Sequence, residues 1–335
     1  MSKESVKEFL MDTRVSFLQS LIRRLPRAPE LGALAGFLAV FIGFSIFAEH
    51  FLTIECLSGV LTIAAELGIV AIGVTFLMIS GEFDLSVGSV LGVAAMAFAL
   101  LAKANVPHAI ALIIALSFAA LIGLLNGLIV VWTRVPSFIV TLGSMMFWRG
   151  VLLAVTGGFP VAYGGYSTLM YALSGRTTVG FHMSAPWFGA FVLMLGVVLT
   201  RTRYGNRVFA AGGNPEAARA LGVNVRRIKI TNFVLSALLA GFAGIVQFCR
   251  FGSVDPLRGS GIETEAIAAS VIGGTLLSGG YGSVIGTCLG VLMVGMIRSG
   301  LVLAGAPAYW YRAFIGLILI LAVILNTRIR RMVTR

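Results

Sequence analysis

Residues 203–229 read RYGNRVFAAGGNPEAARALGVNVRRIK, a polar run inside a chain of 335 residues that is 58% hydrophobic and only 11% charged. Within it, Asn214 is a good N-cap, Pro215 suits the first helical position, and Glu216 favours the positive end of the helix dipole. Ala217, Ala218, Ala220 and Leu221 propagate a short helix, and Gly222 can end it in a left-handed conformation. Isolated helices under about 12 residues are marginal in water, so something must pack on this one. It either lies on the rest of its own chain or docks a partner.

Outward from this run the sequence is apolar on both sides. A membrane helix needs about 20 mostly apolar residues. Windows of that kind fall near 32–48, 57–80, 85–102, 107–132 and 137–156 before the run, and near 186–203, 227–250, 262–278, 282–303 and 309–326 after it. The mean hydropathy of +0.99 agrees. The expectation is an all-α membrane protein of about ten transmembrane helices, with the bilayer as its first partner. Its 41 glycines point to closely apposed helices, because lipid supplies no hydrophobic drive and small residues let backbones approach.

Basic residues concentrate on the cytoplasmic side of membrane proteins. If the first span runs outward, 18 of the 25 Lys and Arg residues fall inside: six before residue 28, Arg134, seven from Arg201 to Lys229, and four after residue 327. Both termini are then cytoplasmic, and the net charge of +12 needs no nucleic acid. The chain divides into an amphipathic cytoplasmic segment 1–31, a transmembrane domain 32–326 with a cytoplasmic loop 204–226, and a basic cytoplasmic tail 327–335. Val6, Phe9, Leu10, Phe17, Leu18, Leu21, Ile22 and Leu25 recur at roughly helical spacing, which suits a helix lying on anionic headgroups rather than a signal peptide.

Cys56, Cys249 and Cys288 stand apart, and His50, His108 and His182 form no zinc pattern, so no metal is expected. The chain contains no GK dipeptide and therefore no GxxxxGK[ST] phosphate loop.

Residues 81–88, GEFDLSVG, are the most polar interruption of the first half. Gly81 can cap the second span, and Asp84 can cap the third through the amides of Ser86 or Val87. The apolar run before it, Leu67 to Ser80, covers only about 21 Å, short of the bilayer core, which leaves the break either inside the membrane or at its cytoplasmic edge. Broken helices at that depth line protein or water-filled cavities, so Glu82, Asp84 and Ser86 are candidate pathway residues. Asn126 and Gln247 are lone amides in apolar spans; they either hydrogen-bond a neighbouring helix or meet the hydroxyls of a solute. Arg149, Arg250 and Arg298 fall in the outer halves of their spans, near Asp255, Arg258, Glu263, Glu265 and Arg312. These charges either pair with one another or form a docking rim. Gly282, Gly286 and Gly290 make a GxxxGxxxG packing face, and GSVLG (88–92) against GSVIG (282–286) suggests two weakly similar halves.

The run 203–229 resembles the coupling loop of permease subunits in ATP-binding-cassette (ABC) importers of the ribose and xylose type. Three further blocks, in the same order, extend the resemblance over nearly the whole chain. GEFDLSVGSVLG (81–92) is similar to the family's GGIDLSVGS signature, with Glu82 in place of a Gly and Phe83 of an Ile; the others are NGLIVVWTRVPSFIVTLGSMMFWRGVLLAVTGG (126–158) and EAIAASVIGGTLLSGGYGSVIGTCLG (265–290). The resemblance implies a permease of a bacterial inner membrane that works as a homodimer, or as a heterodimer with a related permease. It implies a cytoplasmic ATPase partner that carries the ATP and Mg, a periplasmic sugar-binding protein that delivers a monosaccharide, and no cofactor or catalytic residue in this chain. Asn214, Pro215, Glu216, Ala217, Ala218, Leu221 and Gly222 would enter the ATPase, while Arg258, Glu263, Glu265 and Arg312 would face the binding protein. The other class open to such a sequence is an ion-coupled secondary transporter of a small polar solute, which would need no ATPase.

Overall fold

Apolar runs become helices in a bilayer because each backbone N–H must find its acceptor within the segment. The computed structural model describes residues 29–177, 180–307 and 309–333, with thirteen helices among them. Five helices precede the polar run's half of the chain: α1 (Pro29–Phe47), α2 (Ile54–Ile79), α3 (Val87–Lys103), α4 (His108–Thr133) and α5 (Ser137–Thr156). The short α6 (Thr168–Ser174) leads to α7 (Ser184–Arg201) and then to the polar run, which folds as α8 (Arg203–Gly213) and α9 (Pro215–Ala220). The chain closes with α10 (Val225–Phe251), α11 (Ile262–Ile272), α12 (Val284–Leu303) and α13 (Trp310–Val333). Each of the ten expected windows overlaps one of these helices. Six helices, α2, α4, α5, α7, α10 and α12, are individually long and apolar enough to cross a membrane.

Helix α2 is the hub, enclosed by α7, α10, α11 and α12. Its residues from Ala64 to Ile79 are all buried. At the other extreme α5 turns Phe138, Ile139, Met146 and Phe147 outward, as a helix facing lipid or another subunit does. Opposite the polar run, a strand pair, β1 (Val161–Ala162) and β2 (Ser253–Val254), ties the α5–α6 connection to the end of α10.

The structure corrects one window. Residues 262–278 do not form a single spanning helix: α11 has 11 residues, about 16 Å, and an irregular, glycine-rich segment follows. It is reached by a loop that dips into the bundle. Arg149, seven residues from the end of α5, donates through Nη1 to the carbonyls of Pro256 and Arg258, both at 2.9 Å. Apolar composition could not distinguish this half-helix from a full span, because the irregular segment carries no charge and its turns after Ile272 hydrogen-bond mostly within themselves. The expected glycine packing is present here, as Gly290 of α12 lies directly on Ala269 of α11 and Gly286 on Gly273, which ends that helix.

The structure bears on the depth left open for the break after α2. Helix α2 runs 26 residues, about 39 Å, and begins well before Leu67, because the charge of Glu66 is neutralised by Arg250 and does not interrupt it. The break therefore starts at the end of the bundle that carries α8 and α9, and its extended return re-enters the bundle. The segment 1–31 lies almost wholly outside the described residues, which start at 29, and α13 continues past 326 to Val333.

Candidate functional site

The polar run folds as its residues dictate. The Asn214 Oδ1 accepts from the amides of Glu216 at 3.1 Å and Ala217 at 3.0 Å, and Pro215 occupies the first turn. Gly222 follows at φ +80°. Of this short helix only Ala218 is buried; Glu216, Ala217, Arg219 and Ala220 face solvent, and Leu221 is 84% exposed. A capped helix with an exposed leucine beyond the last turn is thus held clear of the bundle.

Three links join the base of this element to the bundle. First, Tyr204, in the opening turn of α8, donates to Asn232 Oδ1 of α10 at 2.6 Å, and Asn232 Nδ2 donates to the Phe76 carbonyl of α2 at 3.1 Å. Burial pushes the Tyr204 hydroxyl up to about 12, so it stays protonated and keeps donating at physiological pH. Second, Lys229, in the first turns of α10, forms an ion pair with Glu82 in the break after α2. Third, five glycines meet backbone to backbone. Gly212 and Gly213 end α8, Gly81 follows α2, and Gly279 and Gly280 belong to the segment after α11. Gly280 donates to the Ile79 carbonyl at 2.8 Å. A β-carbon on Gly279 would stand 2.9 Å from Gly81 Cα, and its φ of +78° favours glycine in any case. The end of α8 therefore touches both helix breaks at once.

From this junction the chain returns inward as an extended strand of polar contacts. The Phe83 amide donates to Ser137 Oγ at 3.0 Å, and the Leu85 amide to Thr141 Oγ1, one turn deeper, at 3.1 Å. Ser86 accepts from Asn126 Nδ2 at 2.9 Å; Asn126 lies seven residues inside the end of α4, about 10 Å. Asp84 closes the chain by accepting from the Ser86 amide at 2.8 Å and its hydroxyl at 2.5 Å. The helical cap of α3 is Ser86 itself, and Asp84 forms the turn before it. Asp84, Ser86 and Asn126 are closed off from solvent in this conformation, and Asp84 Oδ2 has no hydrogen-bond partner among the described residues.

A family model described as the permease component of the branched-chain amino acid transport system matches residues 56–323. The chain belongs to this permease family. The ribose import permease RbsC of Escherichia coli K12 is 36% identical to it over 303 residues, covering 89% of this chain and 94% of its own length. The probable ABC transporter permease YphD of the same strain is 38% identical over 297 residues, covering 89% of each. The autoinducer 2 import permease LsrC of E. coli O157:H7 is 33% identical over 301 residues, 90% of this chain and 87% of its own. No solved structure matches. The resemblance to ribose-type ABC importers holds, and the permease is a multi-pass subunit of the bacterial inner membrane whose family implies an ATPase and a periplasmic binding protein as partners.

A second group of charges lies toward the opposite end of the bundle. Arg250 of α10 grips Glu66 of α2 with Nε to Oε1 at 2.6 Å and Nη2 to Oε2 at 2.9 Å, and Gln247, half-buried, lies three residues before Arg250 on the same helix. Arg258 pairs with Asp255 at 3.4 Å and, with Arg250, stacks on Phe251. Glu263 accepts from the Gly261 amide and lies over Gly88 of α3. Glu265 is half-buried, while Arg312 is exposed. Sequence reasoning missed Glu66, although a lone carboxylate in an apolar span is a signal in itself. It also missed the pairing of Lys229, counted only as a cytoplasmic charge. Nothing local marks the buried hydroxyls of Thr75, Ser270 and Thr287, which meet where α2, α11 and α12 cross.

Proposed function

We propose that the permease is one of two transmembrane subunits of an ATP-driven importer for a monosaccharide or related polyol. In this reading both termini and the α8–α9 loop are cytoplasmic, and ATP with Mg is bound and hydrolysed on a separate subunit. Asn214 to Gly222 seat in a groove of that subunit. The observation that carries the reading is the exposed helix α9, with Leu221 uncovered, whose base is anchored to α2, α10 and both helix breaks. Such an element transmits a push better than it serves the bundle's own stability. Relatives named for ribose and autoinducer 2 import support a small polyhydroxylated solute.

Import then proceeds by population shift. ATP binding closes the ATPase pair around α9, and the free energy of that closure favours one arrangement of the bundle over the other. The displacement of α8 moves the glycine junction, and with it the segments 80–86 and 273–283. Both are half-helix entries of the type at which transporters hold their solutes. Asp84, Ser86, Asn126 and Gln247 are the polar groups that such a movement would open to solute hydroxyls. Arg258, Glu263, Glu265 and Arg312 are assigned to the receptor-facing side, with Arg312 the most accessible of them.

The test is uptake into proteoliposomes containing the permease and its ATPase, with the receptor supplied outside, across a panel of monosaccharides. The expected result is ATP-dependent accumulation of a single sugar class, abolished by Glu216→Arg while the membrane domain still melts as the wild type does. Undiminished uptake by that variant would remove α9 from the mechanism.

A further inference from the structure

Arg226 and Arg227, at the start of α10, take no part in the contacts described so far. Both are exposed, and among the described residues neither forms an ion pair with a carboxylate. They overhang an open groove of about 500 Å³ between α4 and α10, whose floor is Leu124, Ile230 and Val234, with Thr231 on its edge. The groove runs along the helices and into the bundle's depth. Val234 lies eight residues beyond Arg226, about 12 Å, and Leu124 nine residues inside the end of α4, about 13 Å.

These dimensions select the occupant. A soluble protein docked on α9 stops at the bundle's end and cannot follow α4 and α10 inward. Inorganic phosphate would satisfy the guanidinium groups and leave the apolar floor bare. A phospholipid matches both parts: a charged head at the arginines and hydrocarbon against Leu124, Ile230 and Val234. The flank of α4 agrees, because Phe118, Leu121 and Leu125 continue the outward apolar surface and Trp132, 72% exposed, stands near the helix end, where indole rings favour the headgroup layer. Two arginines without carboxylate partners specify an anionic head.

We propose that this groove is a binding site for one anionic phospholipid, its phosphate held between Arg226 and Arg227 and an acyl chain laid along Leu124, Ile230 and Val234. The leaflet, the cytoplasmic one, rests on the orientation proposed above; the binding itself does not. Because α10 starts five residues after α9 ends, the lipid would brace the base of the coupling element.

Native mass spectrometry of the full-length permease in detergent tests this independently of transport. Phosphatidylglycerol and phosphatidylcholine with identical chains are offered in turn. Retention of the anionic lipid about thirty-fold over the zwitterionic one is expected from two cations near a charged surface, with no displacement by millimolar inorganic phosphate. Arg226→Gln with Arg227→Gln should abolish the preference, and Thr231→Trp, which fills the groove and keeps both arginines, should abolish retention. Equal retention of the two lipids, a preference that survives the double variant, or displacement by phosphate alone would overturn the proposal. So would spontaneous disulfide formation between copies carrying Thr231→Cys in lipid-filled membranes, since a second copy would then occupy the groove.

Discussion

Reversing the Glu82–Lys229 pair probes the link between the coupling loop and the break after α2 most sharply. The two side chains are 11% and 21% exposed, so the pair lies between the limits of surface and interior. Fully exposed pairs contribute about 0–1 kcal/mol, and breaking a buried pair costs about 3–5 kcal/mol. The residual exposure and the nearby solvent favour the lower part of that span, about 1–2 kcal/mol, equivalent to a factor of 5–30 in an equilibrium. If the pair holds the loop and the break together through the transport cycle, Glu82→Lys and Lys229→Glu should each lower uptake per ATP hydrolysed by about that factor. The double reversal restores the attraction across the same gap and should recover to within about threefold of wild type, because contacting residues are not additive. The assay is solute accumulation and phosphate release measured together in proteoliposomes containing the ATPase and receptor. Harmless single reversals, or a double variant as impaired as the product of the two singles, would refute the linkage.

Other perturbations separate the parts. Gly279→Ala places a β-carbon against Gly81 at a positive φ; a left-handed non-glycine residue alone costs about 1–2 kcal/mol, and a lowered melting temperature together with lost uptake is expected. Leu221→Asp changes a residue that is 84% exposed, so the melting temperature should stay unchanged while co-purification with the ATPase falls, in line with surface substitutions altering stability by only about 0.5 kcal/mol. Glu66→Gln leaves the Arg250 guanidinium without its counter-charge and should cost about 3–5 kcal/mol in denaturation. Replacing both partners, Glu66→Leu with Arg250→Met, should recover most of that loss.

The architecture was legible where it depends on local chemistry. Ten apolar windows located ten helices, and Asn214, Pro215 and Gly222 set the cap, the first turn and the left-handed end of α9. What escaped depends on partners distant in sequence. The half-helix α11 looks like a span because its uncharged continuation contains nothing that forbids one, and the loop that feeds it is held by Arg149, more than a hundred residues away. The depth of the α2 break could not be read from the apolar run alone, because Glu66 appears to end that run until Arg250 is placed beside it. The sequence contains each glycine of the junction but no hint that residues 81, 212 and 279 meet. Asp84, Ser86 and Asn126 were chosen for polarity in apolar surroundings, and the structure joins them in one buried chain.

The central claim is that this permease moves solute only when driven through α9 by a separate ATP-hydrolysing subunit. Proteoliposomes containing the permease alone, given external solute, receptor and an imposed proton or sodium gradient, test it directly. No accumulation above equilibration is predicted until the ATPase and internal ATP are added. Concentrative uptake without them would contradict the account.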